Sequence, residues 1–211
     1  MPQRFPISQA CHCASSGGTL NIHPEQPGLL ARRALLKSAL AAGLVLPFAE
    51  TGRATDPKTA RPQQGDLFVF AGGDESGRVI GPADVPAGDA PVLAWPMEAA
   101  SKTVRDGSRL NQVLLVRLDA VALDDVTRER SVDGVVAYSA SCTHALCPVT
   151  GWKAEQQLMW CPCHNSEFDP RSGGKVVFGP APRPLPALPL KLSDGALTAT
   201  GTFLGRVGHT A

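Results

Sequence analysis

Residues 142–147 read Cys-Thr-His-Ala-Leu-Cys, and residues 161–166 read Cys-Pro-Cys-His-Asn-Ser. Each stretch places a His two or three positions after a Cys, and each carries one further Cys. Sixteen residues separate His144 from Cys161. A hairpin of that length brings two short loops together and delivers two thiolates and two imidazoles to one place, with Cys147 and Cys163 left side by side. Two readings fit such a donor set. One is a structural zinc ion held tetrahedrally by two Cys and two His. The other is a 2Fe-2S centre with two Cys on one iron and two His on the other. Residue types alone leave both open.

Around these loops the sequence reads as strands. Candidates are Leu67 to Phe70, Pro91 to Trp95, Gln112 to Leu118, Gly134 to Ser139, Gln157 to Trp160 and Lys175 to Phe178. They are rich in apolar and β-branched residues. Leu188 to Leu192 and Ala196 to Thr200 flank Ser193-Asp194-Gly195, a hairpin signal. Only Ala120 to Arg130 has a helical look. The fold class expected is all-β, an antiparallel sandwich or barrel with long loops. Gly179-Pro180-Ala181-Pro182 follows one strand. Its prolines fix φ without adding donors, which suits a stiff loop that covers a cofactor and keeps one side dry. As a bare pattern it reads equally as an exposed turn.

Composition narrows the function classes. Lys plus Arg number 20 and Asp plus Glu 19 in 211 residues. That balance lacks the basic surplus of a nucleic-acid binder. Gly contributes 21 residues and Pro 19, which favours turns and short strands over a helix bundle. No apolar run approaches the roughly 20 residues of a membrane span, which excludes a polytopic membrane protein.

The N-terminal part has the layout of an export signal. Residues 31–37, Ala-Arg-Arg-Ala-Leu-Leu-Lys, precede an uncharged stretch from Ala39 to Ala49 that Pro47 interrupts. Arg32 and Arg33 with Leu35, Leu36 and Lys37 resemble a twin-arginine signal. Small residues around Arg53 and at Ala49 offer places for a cut. Eleven residues are too few to cross a bilayer, so the expectation is cleavage; an uncleaved signal would add a weak membrane tether. Cys11, His12 and Cys13 lie upstream and are assigned no role. Four parts are therefore expected: 1–54 extension and signal, 55–64 linker, 65–205 folded domain and 206–211 tail, with His209 disordered in the tail.

Taken in order, Cys142–Cys147, Cys161–Ser166 and Gly179–Pro182 resemble the two cluster-binding boxes and the Pro loop of Rieske iron-sulfur proteins. The resemblance covers about residues 134–205. It implies a cluster-binding subdomain, about 138–184, set into an antiparallel β base, and one 2Fe-2S cluster as cofactor. By position, Cys142 and Cys161 would bind one iron, and His144 and His164 the outer iron. Cys147 and Cys163 would form a disulfide. Ser166 would donate its hydroxyl to a bridging sulfide, and Gly179, Pro180, Ala181 and Pro182 would cover the cluster. Replacing two thiolates by neutral imidazoles takes the oxidised cluster from about −2 to about zero formal charge. Its potential then lies in the range of about −150 to +300 mV rather than near −400 mV.

Four positions depart from the family's common pattern. Leu146 and Asn165 stand where Gly is usual. Ala145 replaces a larger apolar residue, and Phe168 stands where quinol-oxidising relatives often carry Tyr. The leader and the stretches Val136–His144 and Ser166–Asp169 look like the small subunit of arsenite oxidase. The function expected is a periplasmic one-electron carrier, with no substrate site of its own, between an oxidoreductase large subunit and a cytochrome c or cytochrome b. The alternatives are a Rieske subunit of a cytochrome bc complex and, in another class, a zinc-stabilised binding module. A Rieske oxygenase is not expected, because it needs a further iron site of two His and a carboxylate, and only His209 follows His164.

Overall fold

A computed structural model describes residues 56–209. The expected signal, Cys11, Cys13 and the last two residues lie outside that range. Ten strands follow in chain order: β1 (Leu67–Phe70), β2 (Val92–Met97), β3 (Val113–Arg117), β4 (Val135–Ser139), β5 (Gly151–Lys153), β6 (Leu158–Cys161), β7 (Ser166–Asp169), β8 (Lys175–Phe178), β9 (Leu190–Ser193) and β10 (Ala196–Ala199). They form a six-stranded sheet in the order β4-β3-β2-β1-β10-β9 and a four-stranded sheet in the order β5-β6-β7-β8. All neighbouring pairs are antiparallel. The all-β expectation holds, and strand limits differ from it by one or two residues in most cases.

Strands β3 and β4 explain how the two sheets share an interior. Successive side chains of a strand point to opposite faces. Val113, Leu115, Val135 and Ala137 face one core, with Phe68, Ile80, Leu197 and Phe203. Leu114, Val116, Val136 and Tyr138 face the other, with Met159, Phe168, Cys142 and Cys161. Both faces of this pair are covered, so every residue of β4 is buried. That is why β4 reads as a continuous apolar run rather than an alternating one.

Three expectations need correction. The helix over Ala120–Arg130 is two separate turns. Asp119 accepts from the Val121 amide and caps a 3-10 turn at Ala120–Ala122. Asp124 accepts from the Thr127 amide and caps α1 (Asp125–Glu129), and the extended Leu123 separates the two. The segment 55–64 is not a loose linker in its described part. Ala60 O accepts from Asn111 Nδ2 at 2.8 Å, Pro57 O from Arg105 at 3.0 Å, and Arg61 donates to Leu110 O at 3.0 Å. Strands β5 and β7 were not foreseen. β5 has only three half-buried residues, and β7 carries two carboxylates among its four residues.

One buried ion pair pins this N-terminal segment to the base. Arg105 grips Asp66 with two hydrogen bonds, 2.7 Å from Nε and 3.1 Å from an Nη, and both residues are buried. Asp66 also accepts from the Gln63 amide at 2.8 Å. Removing one partner of such a pair strands a charge away from water. Arg105→Met is expected to cost about 3–5 kcal/mol of stability, read as a lowered urea midpoint at unchanged slope.

Candidate metal centre

Two loops of the same backbone design carry the sulfur and imidazole residues. The first leaves β4 and closes on itself: the Leu146 amide donates to Cys142 O at 3.1 Å and the Cys142 amide to Cys147 O at 2.8 Å. The second connects β6 to β7, where the Asn165 amide donates to Cys161 O at 3.0 Å. In each loop the residue four after the Cys takes a positive φ, 62° at Leu146 and 57° at Asn165. These are the two positions where Gly is usual in the resembled pattern. Asn enters this region several times more readily than most residues. Leu does not, and its support comes from elsewhere, as described below.

The loops meet. Cys147 and Cys163 form a disulfide with Cα atoms 6.5 Å apart, as expected. A disulfide sulfur is not a thiolate, so Cys142 and Cys161 are the free thiols among the described residues, and both are buried. Burial pushes the Cys161 thiol up, and neighbouring Cys142 adds to the rise. Backbone N–H groups of Cys163 and His164 oppose it by donating to the sulfur. The Cys161 thiol therefore resists ionisation unless a cation shares its pocket. His144 and His164 lie edge to face with ring centroids 4.7 Å apart. His164 is exposed. His144 Nδ1 is buried without a hydrogen-bond partner, an orphaned acceptor that a metal ion would satisfy. The donor set therefore fits a metal group held by two buried sulfurs and by two ring nitrogens, one on half-buried His144 and one on exposed His164.

The Pro loop covers this site and is stitched to both loops. Ala181 donates its amide to Ser166 Oγ at 3.1 Å. That bond leaves the Ser166 hydroxyl proton free to point elsewhere. Thr143 Oγ1 donates to Arg183 O at 2.7 Å. Gly179 (φ 87°) lets the backbone press close, since a Cβ there would stand 2.6 Å from Ser166 Cα. Pro180 and Pro182 face solvent while Ala181 is buried.

This geometry, in this order along the chain, matches a family. Residues 94–189 match the model of the Rieske [2Fe-2S] domain. The chain carries a Rieske domain. The cofactor of that domain is one 2Fe-2S cluster, which the donor set above suits. Over 106 residues the chain is 45% identical to the putative respiratory nitrate reductase subunit Rieske of Haloferax mediterranei, covering 49% of this chain and 47% of that protein. Over 104 residues it is 42% identical to the cytochrome bc1 complex Rieske iron-sulfur subunit of Corynebacterium diphtheriae, covering 46% of this chain and 26% of the relative. The chain thus spans about half or less of these relatives' length. Among solved structures it is similar to the soluble domain of Rieske protein II from Sulfolobus acidocaldarius, at 32% identity and a TM-score of 0.32 over 35% of this chain and 45% of that one.

Three features of the Rieske domain were not legible beforehand. Thr143 is fully buried and ties the first loop to the Pro loop; its place between Cys142 and His144 was the available hint. Arg183, just past the Pro loop, donates to Arg206 O and Gly208 O. His209, expected to be disordered, is placed with Nδ1 2.7 Å from His144 O. The tail from Arg206 to His209 is thus packed on the first loop.

Phe168 is fully buried in the cluster of apolar side chains that includes Cys142 and Cys161. It packs there without a hydroxyl. A Tyr hydroxyl can donate to a ligand sulfur and so favour the reduced, more negative state. Phe168→Tyr is expected to raise the midpoint potential in a redox titration; a fall, or no shift outside error, refutes this account.

Proposed function

We propose that Cys142 and Cys161 hold the inner iron, and His144 and His164 the outer iron, of a single 2Fe-2S cluster, and that the chain passes single electrons between an oxidoreductase and a cytochrome-like acceptor. The carrying observation is the asymmetry of the site: both thiols are buried, whereas His164 is exposed and His144 half-buried. When bound, the cluster supplies a one-electron redox couple. The protein's own residues do the rest. The two Cys sulfurs anchor the group in a dry pocket with Met159 and Phe168. The rings place one side of it against whatever docks at the loop tips. The disulfide keeps the loops together, and the Pro loop excludes water from the remaining side. Ser166, fixed by the Ala181 amide, has a proton to offer to a cluster sulfide.

The relatives support a carrier that works inside a larger assembly. One is named as a subunit of a respiratory nitrate reductase and one as a subunit of a cytochrome bc1 complex. The small subunit of arsenite oxidase is our preferred analogue, because of the leader and the residues around the boxes. A quinol-oxidising cytochrome bc partner is the second reading, supported by the Corynebacterium relative. We place the chain in the periplasm, exported by the twin-arginine route with its cluster already bound.

Two measurements test this. The purified full chain is expected to contain about two iron atoms and two acid-labile sulfides, and to give a 2Fe-2S electron-paramagnetic signal after dithionite reduction. One zinc ion with no sulfide sinks the assignment. Replacing both Arg32 and Arg33 with Lys is expected to leave cluster-loaded precursor in the cytoplasm; undiminished export of the double variant overturns the leader assignment.

A further inference from the structure

The charge of the domain is arranged unevenly around the cluster loops. Two surface clefts of about 440 and 370 Å³ adjoin one another and share Gly205 and Arg206. The first is lined by Arg61, Leu110, Leu146, Phe203, Arg206 and His209. The second is lined by Arg130, Arg183, Pro184, Leu204 and Arg206. Among the described residues no carboxylate lines either cleft. Glu129, the chain neighbour of Arg130, is not among the lining residues. None of the four arginines forms a salt bridge among the described residues, where eight other charge pairs do. Arg183 Nε is buried and has no partner.

The location gives this surface a use. Leu146 belongs to the first cluster loop, and Arg183 is bonded through its carbonyl to Thr143 of the same loop. His209 touches the carbonyl of His144. The basic face therefore begins where the rings emerge. Elsewhere the chain is acidic: from Thr55 on, setting these four aside, 11 Lys and Arg stand against 17 Asp and Glu. A positive face beside the cluster on a negative body orients an approaching charged partner before contact.

We propose that this pair of clefts is the docking surface for an acidic face of the protein that exchanges electrons with the chain. The proposal rests on the electron-transfer reading above and adds the partner's charge and the place where it sits. The partner's carboxylates meet Arg61, Arg130 and Arg206, while Leu110, Phe203 and Leu204 give the contact an apolar floor. On transfer the reduced chain loses one electron, the ferric haem of the partner gains it, and no bond is made or broken.

The test uses the full-length, cluster-loaded chain with an acidic c-type cytochrome, and a basic c-type cytochrome as the opposite probe. Binding is followed by calorimetry and electron transfer by stopped flow, each over a range of ionic strength. Arg130→Gln with Arg206→Gln is the main variant, since neither side chain makes a hydrogen bond among the described residues. Arg206→Glu is the second, and Lys102→Gln, exposed and outside both clefts, is the control. Affinity for the acidic cytochrome is expected to fall with salt and to drop about tenfold or more in the double variant and in Arg206→Glu, but not in the control. The signal of the reduced cluster should not change. Equal affinity of wild type and both variants, or tighter binding of the basic cytochrome by the wild type, overturns the proposal. Charge-dependent binding with no electron transfer sinks the redox reading and leaves the docking surface. Fast transfer that ignores the substitutions sinks the docking surface alone.

Discussion

A thiolate at Cys161, buried beside a second sulfur, is unfavourable without a cation to share its pocket, and the site is organised around that fact. Cys142 and Cys161 sit inside the same apolar cluster as Met159 and Phe168. There a negative charge on the Cys161 sulfur lacks water, and Cys142 beside it adds to the cost. Backbone amides from Cys163 and His164 offset part of that cost by donating to the Cys161 sulfur. Only a cationic group between the sulfurs removes the rest. Metal binding and the folding of these loops are therefore linked, in the sense that ligand burial is stable chiefly when the metal is present.

The surrounding ties limit how far the loops can open. The disulfide joins residues 16 apart in sequence, which in chain-entropy terms is worth about 3 kcal/mol. It acts on the tips of the loops. Thr143–Arg183 and Ala181–Ser166 act on their flanks, through the Pro loop. Below them, Tyr138 on β4 donates to Pro170 O at 2.7 Å, linking the six-stranded sheet to the end of β7. The two rings are thus carried by a frame fastened to both sheets. A rigid frame keeps reorganisation small when an electron arrives, which is what the electron-transfer role proposed above needs.

How much of this was readable in the sequence depended on whether local chemistry or distant contact decided each residue. The β3–β4 ribbon was readable because its apolar side chains are dictated by two cores at once. The cysteines and histidines were readable because few other arrangements use those types at that spacing. β7 was masked: Ser166-Glu167-Phe168-Asp169 is half-buried with a shift in register between Glu167 and Phe168, so its alternation lacks the apolar signature. The segment 55–64 looked like a linker because the anchors of its described part are backbone carbonyls. Ala60 O and Pro57 O are held by Asn111 and Arg105, some fifty residues away, and no pattern in the segment itself announces them.

Leu146 shows the same principle most sharply. A Leu at φ 62° carries a backbone cost of about 1–2 kcal/mol that Gly would avoid. Taken within its own loop, that residue looks like a defect. The structure places the missing glycine on the other side of the contact. Gly208 lies against Leu146, and a Cβ at position 208 would overlap the Leu146 Cδ2 atom. The side chain absent from the tail makes room for the one present in the loop. Arg183 holds the tail there by bonding the carbonyls of Arg206 and Gly208. Leu146 is half-buried, so its packing against the tail supplies part of the about 1.5–3 kcal/mol that full burial of a Leu contributes and offsets part of the strained φ. The two departures from expectation, a bulky residue in the loop and an ordered tail, are therefore one arrangement: the loop accepts an unfavourable backbone angle because the chain's end returns to pack on it.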